Sequence, residues 1–144
     1  MSAVVRRMRS EDYSAVADIW VRSGLPYQPR GRDSEERVRE QMERGSSIFL
    51  VAEDQGRIVG VVLVTHDLRK GWLNRLAVPP EEQGRGIAKQ LVRRAEEELS
   101  ALGIGVFAVQ IHEGNEKSRK LFAELGYREH SDIVYCSKRF GPDE

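Results

Sequence analysis

Apolar positions recur along the chain with two periods, and the switches between them predict its elements. Residues 3–8 read as a short strand. Tyr13, Val16, Ala17 and Trp20 then fall at i, i+3, i+4 and i+7, the stripe of an amphipathic helix that Ser10 can cap. Residues 24–32, with two prolines and two glycines, form a loop inside the domain. Asp33 and Glu36 have capping-box spacing for a second helix, thinly striped by Val38 and Met42 and ending near Gly45. Residues 48–53 and 58–65 are β-rich runs around the turn Asp54-Gln55-Gly56, a hairpin whose continuous apolar character predicts burial on both faces. Residues 72–78 make a further strand, closed by Pro79-Pro80, which cannot continue a ladder.

The next helix has the clearest pattern. Ile87, Ala88, Leu91, Val92, Ala95, Leu99 and Leu102 line one side, with Lys89, Arg93, Arg94, Glu96 and Glu97 opposite, and Gly103 stops it. Residues 104–111 read as a strand. Residues 115–125 read as a short helix ending at Gly126, with Leu121, Phe122 and Leu125 inward. Residues 133–139 read as a final strand. The order β-α-α-β-β-β-α-β-α-β predicts an α/β fold with a mixed sheet, an antiparallel meander extended by parallel β–α–β units.

Composition narrows the class. The 144 residues suit one domain, 1–144, and 40% apolar with 32% charged residues excludes a disordered chain and a membrane bundle. The longest mostly apolar run, 58–64, is far short of the ~20 residues that span a bilayer. The N-terminus has no apolar leader and Cys136 has no internal partner for a disulfide, so a cytoplasmic location is expected. Net charge is zero, and the first 45 residues carry nine basic and eight acidic groups. With no basic surface in prospect, neither nucleic acid nor membrane is an expected partner.

Chemistry concentrates in residues 73–88, where a strand runs into a glycine-containing loop that opens the best helix. First-turn N–H groups lack partners in the chain and carry partial positive charge. Gly84 and Gly86 let the backbone approach an anion, so the segment reads as a phosphate or diphosphate cradle. Arg85 and Lys89 either add charge there or are simply solvated. A triphosphate-binding Gly-x-x-x-x-Gly-Lys-Ser/Thr loop is absent, and Gly84-x-Gly86 lacks the third glycine of the dinucleotide fingerprint.

Gln83-x-x-Gly86-x-Ala88 resembles the Gln/Arg-x-x-Gly-x-Gly/Ala motif of the GCN5-related N-acetyltransferase (GNAT) superfamily. Leu76-Ala77-Val78-Pro79 is similar to the family's splayed strand. Asn115-x-x-Ser118-x-x-Leu121-Phe122-x-x-x-Gly126-Tyr127 resembles its second motif, Asn-x-x-Ala/Ser-x-x-Leu-Tyr-x-x-x-Gly-Phe/Tyr. Locally the chain is most similar to small bacterial and archaeal members, including ribosomal-protein alanine acetyltransferases and YpeA-like proteins.

The resemblance implies a central mixed sheet flanked by helices, with acetyl-coenzyme A as co-substrate and no metal. Gln83 opens the motif. Backbone amides of Gly84, Arg85, Gly86, Ile87, Ala88 and Lys89 would hold the diphosphate. Main-chain groups of Leu76, Ala77 and Val78 would pair with the pantetheine arm as with a strand, one amide facing the thioester carbonyl. Asn115 would contact the pantetheine or sulfur end, and Ser118 is grouped with it. The implied activity is acetyl transfer to a primary amine, of a small molecule or a peptide, by direct attack in a ternary complex. The alternatives are a protein N-terminal α-amino acetyltransferase and a non-catalytic acyl-CoA-binding regulatory module.

Two positions depart from the family. Phe122 stands where many members have a tyrosine that protonates the leaving thiolate, and Gln110 where some have a glutamate base. His112 is the substitute candidate for the base. Strand alternation would put it on the face of Gln110, and an unperturbed imidazole, pKa about 6.5, suits the role. The competing assignment is a solvent-exposed histidine at a strand end. Glu113 should be solvated, His66 and Asp67 should be turn residues, and Tyr127 and Cys136 should be packed. The family's acceptor pocket maps to Trp20, Tyr27, Arg30, Arg32 and Trp72. The two arginines suit an acidic acceptor or are solvated; Trp20 fits the core, and Trp72 either lines the groove or caps the core. The acceptor and the oligomeric state stay open, a homodimer included.

Overall fold

The computed structural model describes residues 3–144. Its strands are β1 (Val4–Arg7), β2 (Ser47–Asp54), β3 (Arg57–His66), β4 (Gly71–Ala77) and β5 (Phe107–Val109). Its helices are α1 (Tyr13–Arg22), α2 (Glu35–Glu43), α3 (Ile87–Ala101) and α4 (Glu116–Glu124), with 3₁₀ turns at Ser10–Asp12 and Pro80–Glu82. The sheet runs β1-β2-β3-β4-β5; β1 to β4 are antiparallel neighbours and β5 is parallel to β4. Gln55 and Gly56, both at positive φ, turn the β2–β3 hairpin in the manner of a type I′ loop.

Alternation along β2 shows why the central strands are apolar throughout. Ile48, Leu50 and Ala52 face a core built with Leu91, Val92, Ala95 and Leu99 of α3 and Phe122 of α4. Phe49 and Val51 face the opposite core, with Val16, Ile19 and Trp20 of α1 and Val38 of α2. The sheet is thus covered on both sides, and α3 is held by the stripe that its sequence displays.

Five expectations are corrected. Ser10 opens a 3₁₀ turn instead of capping α1. The α2 cap is Ser34, whose Oγ accepts the Arg37 N–H at 3.2 Å; Asp33 is buried and its carboxylate accepts the Gln28 N–H at 2.8 Å. Helix α3 ends at Ala101, which leaves Leu102 46% exposed and outside the stripe. The strand expected over 104–111 shrinks to Phe107–Val109, and 133–139 forms no strand. A strand exists only against a ladder, and three residues of β5 offer little of one. Ile133, Val134 and Tyr135 remain exposed, so their β-prone pattern stabilises nothing.

The Asp12 carboxylate takes a forked pair of bonds from Arg6, at 2.8 and 3.1 Å, and one from the Arg9 N–H at 2.7 Å. Burial alone would raise its pKa; Arg6 and the Arg9 amide outweigh burial and hold it below the ordinary range. A carboxyl depressed in the folded state adds stability above its unfolded value, about 3.9, and loses it as pH falls through the folded one. The stability gap between wild type and Asp12→Asn in urea titrations is therefore expected to be constant above about pH 5 and to shrink below about pH 4. A gap that keeps its size down to about pH 3 would contradict this assignment.

Candidate functional site

The site begins where β4 and β5 part. They pair at Gly71/Phe107, Trp72/Ala108 and Leu73/Val109, and from Asn74 onward β4 has no β5 neighbour. On the other side, Val61 pairs with Ala77 and Leu63 with Asn74, so a two-residue step on β3 opposes a three-residue step on β4. This is a bulge, with Arg75 at φ +55° inside it. The freed edge of β4 leads through Pro80–Glu82 to Gly84, Arg85 and Gly86, then into α3.

Gly84 and Gly86 both have positive φ, +84° and +77°, and Gly86 is the N-cap of α3. A Cβ on either would meet nothing within 4 Å, so the space in front of them is open. Among the described residues, the N–H groups of Gly84, Gly86, Ile87, Ala88 and Lys89 donate to no acceptor. The first returning bond is Gln90 N–H to the Gly86 carbonyl, 3.1 Å. Convergent free amides at the positive end of a 15-residue helix fit a diphosphate.

Side chains fix this loop from behind. Gln83 donates to the Val78 carbonyl at 3.0 Å and accepts from Lys117 Nζ at 2.8 Å. Arg85 turns back to Glu82 and Asp54, each at 2.5 Å, and the buried Glu82 also holds Arg57 at 3.2 Å. Asp54, then Glu82, keep the Arg85 guanidinium above its ordinary range. Lys89 lies 3.5 Å from Glu124. Both cations that the sequence offers to an anion are thus engaged by carboxylates, which leaves peptide N–H groups as the donors at this helix start.

The second motif assembles beside the first. Asn115 caps α4, its Oδ1 accepting the Ser118 N–H at 3.1 Å, which leaves its Nδ2 without an acceptor among the described residues. The Lys117–Gln83 bond brings this cap to the cradle. Phe122 is buried and edge-on to Tyr127, centroids 4.9 Å apart. Tyr127 Oη donates to Glu96 at 2.7 Å; burial, then Glu96, raise the phenol well above its ordinary range, making it a poor acid.

The other titratable candidates divide clearly. His112 is exposed, three residues past the end of β5, so strand alternation does not pair it with Gln110. His66 Nδ1 accepts the Leu68 N–H at 3.2 Å, so Nε2 donates to the Gly45 carbonyl at 3.0 Å, and Asp67 accepts the N–H groups of Arg69 and Lys70. Asp67 lies in the connection after β3, as expected, whereas His66 is the last residue of β3 and pairs with Gly71, contrary to a turn assignment. Cys136 is exposed, contrary to a packed strand cysteine. Among the described residues no group of three or more His, Cys, Asp or Glu forms a metal set, and no helix is long and apolar enough to cross a membrane.

On the other side of the sheet, Trp20 is core, 1% exposed, and Tyr27 stands 6.3 Å from its ring centroid. Tyr13 Oη donates to the Asp33 carbonyl at 2.5 Å, so the 3.0 Å contact between Tyr27 and Tyr13 is donated by Tyr27. Arg30 and Arg32 are exposed, with Arg30 3.4 Å from Asp143. Trp72 is half-buried under Lys70, 5.4 Å from the ring centroid. The residue that pattern analysis passes over is Arg75. Its signal was its charge, the only one between residues 72 and 78.

The site thus sits in a mixed α/β fold in which β4, parted from β5, runs into a glycine loop at a helix start. Solved structures share the fold. PaiA N-acetyltransferase from Thermoplasma acidophilum, in complex with coenzyme A, has a TM-score of 0.80 at 22% identity, covering 89% of this chain and 91% of that one. Aminoglycoside antibiotic 6′-N-acetyltransferase from Acinetobacter baumannii gives 0.80 at 17%, covering 96% and 99%. Ribosomal-protein-S18-alanine N-acetyltransferase from Escherichia coli gives 0.76 at 18%, covering 90% and 79%. The model of the acetyltransferase (GNAT) family matches residues 4–127, and the chain belongs to that family. It is an enzyme, an acetyltransferase whose acetyl donor is acetyl-coenzyme A.

Proposed function

We propose that this chain moves the acetyl group to a primary amine, of a small molecule or a peptide, by direct attack in a ternary complex. The observation that carries the proposal is the set of free amides of Gly84, Gly86, Ile87, Ala88 and Lys89, set beside the edge of β4 that β5 leaves unpaired. The amides hold the diphosphate. Leu76, Ala77 and Val78 offer main-chain groups to the pantetheine arm as a neighbouring strand would, and an amide of this bulged edge faces the thioester carbonyl. When bound, acetyl-coenzyme A supplies that electrophilic carbonyl and a thiolate leaving group. Asn115 Nδ2 is the free donor for the pantetheine end.

The attacking amine must be neutral. A lysine-type ammonium has a pKa of about 10.4 and an α-amine about 7.7–8.0. Phe122 and Gln110 provide neither acid nor base, and Tyr127 is tied to Glu96. That favours an amine that is already partly neutral near pH 8, with solvent taking the proton, and so supports a second, narrower reading as an α-amino acetyltransferase. Free-thiol release from acetyl-coenzyme A with a panel of small amines and peptides tests both. Coenzyme A binding with no turnover on any amine would reject acetyl transfer and favour a regulatory module. His112→Ala is expected to leave kcat within about threefold; a loss of about 10²–10⁴-fold with an altered pH–rate profile would install it as general base.

A further inference from the structure

We infer that Arg75 is a positioning residue for acetyl transfer: its side chain braces the α1–α2 loop against the β4 bulge and so sets the reactive edge of β4. The inference rests on the function proposed above. Three observations support it. Arg75 is the one residue inside a described strand with φ in the left-handed region, which side-chain-bearing residues avoid unless their surroundings over-determine it. Its side chain, 14% exposed, is held by the loop and by α1. Nη2 donates to the Pro26 carbonyl at 2.7 Å and stands 3.7 Å from Asp33 Oδ2, and the guanidinium lies 4.4 Å from the Trp20 ring centroid. The loop is itself closed by bonds between Gln28 and Asp33 and by Tyr13 on the Asp33 carbonyl. Arg75 therefore joins a preformed acceptor-side unit to the strand that would carry the thioester.

The position carries a cost that a purely structural residue would be spared. Arg75 Nε is buried with no described acceptor, and burial lowers the guanidinium pKa more than Asp33 restores it. A methionine would pack on Trp20 without either penalty. What the arginine supplies is a planar fork that reaches a carbonyl and a carboxylate from a fixed bulge, which a lysine cannot reproduce.

Arg75→Gly and Arg75→Lys separate the brace from the backbone. Glycine tolerates the left-handed conformation but has no brace, and lysine keeps only the charge. Each folded variant is expected to keep coenzyme A affinity within about tenfold of wild type, because the diphosphate cradle lies elsewhere and only pantetheine contacts are loosened, and to lose about 10–100-fold in kcat, the scale of a misplaced reacting group. In hydrogen exchange, coenzyme A should protect residues 76–78 and 84–89 of the wild type. Arg75→Gly should lose the protection at 76–78 and keep it at 84–89. Wild-type kcat in either folded variant, or unchanged protection at 76–78, would overturn the inference. Absence of protection at 84–89 in the wild type would instead reject the cradle.

Discussion

Gly86→Trp is expected to weaken coenzyme A binding at least about 100-fold, equivalent to about 2.7 kcal/mol, while the protein stays folded. Gly86 caps α3 at φ +77°, and its missing Cβ faces open space in front of the free amides. An indole built from that point stands where the diphosphate has to approach. Left-handed backbone costs a non-glycine residue about 1–2 kcal/mol, which a domain of ordinary stability survives. Gly86→Ala carries the same strain without filling the space and should lose much less affinity. Calorimetric titration of the pair decides the matter: equal, wild-type affinities would show that the amides at this helix start do not hold the donor.

Leu99→Ala is expected to lower the unfolding free energy by ~3–4 kcal/mol. Leu99 is fully buried, and a Cβ on Gly71 would come within 2.3 Å of its Cδ1. That contact seats α3 on the start of β4, the two elements that frame the site. The cavity left by truncation has rigid walls, the sheet on one side and the helix on the other, so it cannot collapse cheaply. Leu102→Ala, three residues on and 46% exposed, should change stability by less than about 0.5 kcal/mol. Urea unfolding of both variants checks the pair, and a Leu99→Ala loss below about 1 kcal/mol would mean that α3 is not packed as described.

The sequence made some parts of this fold legible and not others, for physical reasons. The α3 stripe could be read because one face is buried along its whole length. The glycine loop before α3 could be read because Gly84 and Gly86 stand where their backbone geometry demands glycine. The α2 cap was displaced by one residue because Asp33 and Ser34 both carry acceptors, and only the folded chain shows that Asp33 is spent on Gln28. The strand expected at 133–139 depends on a neighbour that local pattern cannot supply. Arg75 was overlooked because its left-handed backbone leaves no mark in the identity of the residue. Its charge within an apolar strand was the only hint.

The Gln83 side chain has a mechanical consequence. With Val78 on one side and Lys117 on the other, it ties two signature segments, 34 positions apart in the chain, into one lever. A tilt of α4 would pull first on the turn before Gly84, where Gln83 holds the end of β4 and the start of α4 together.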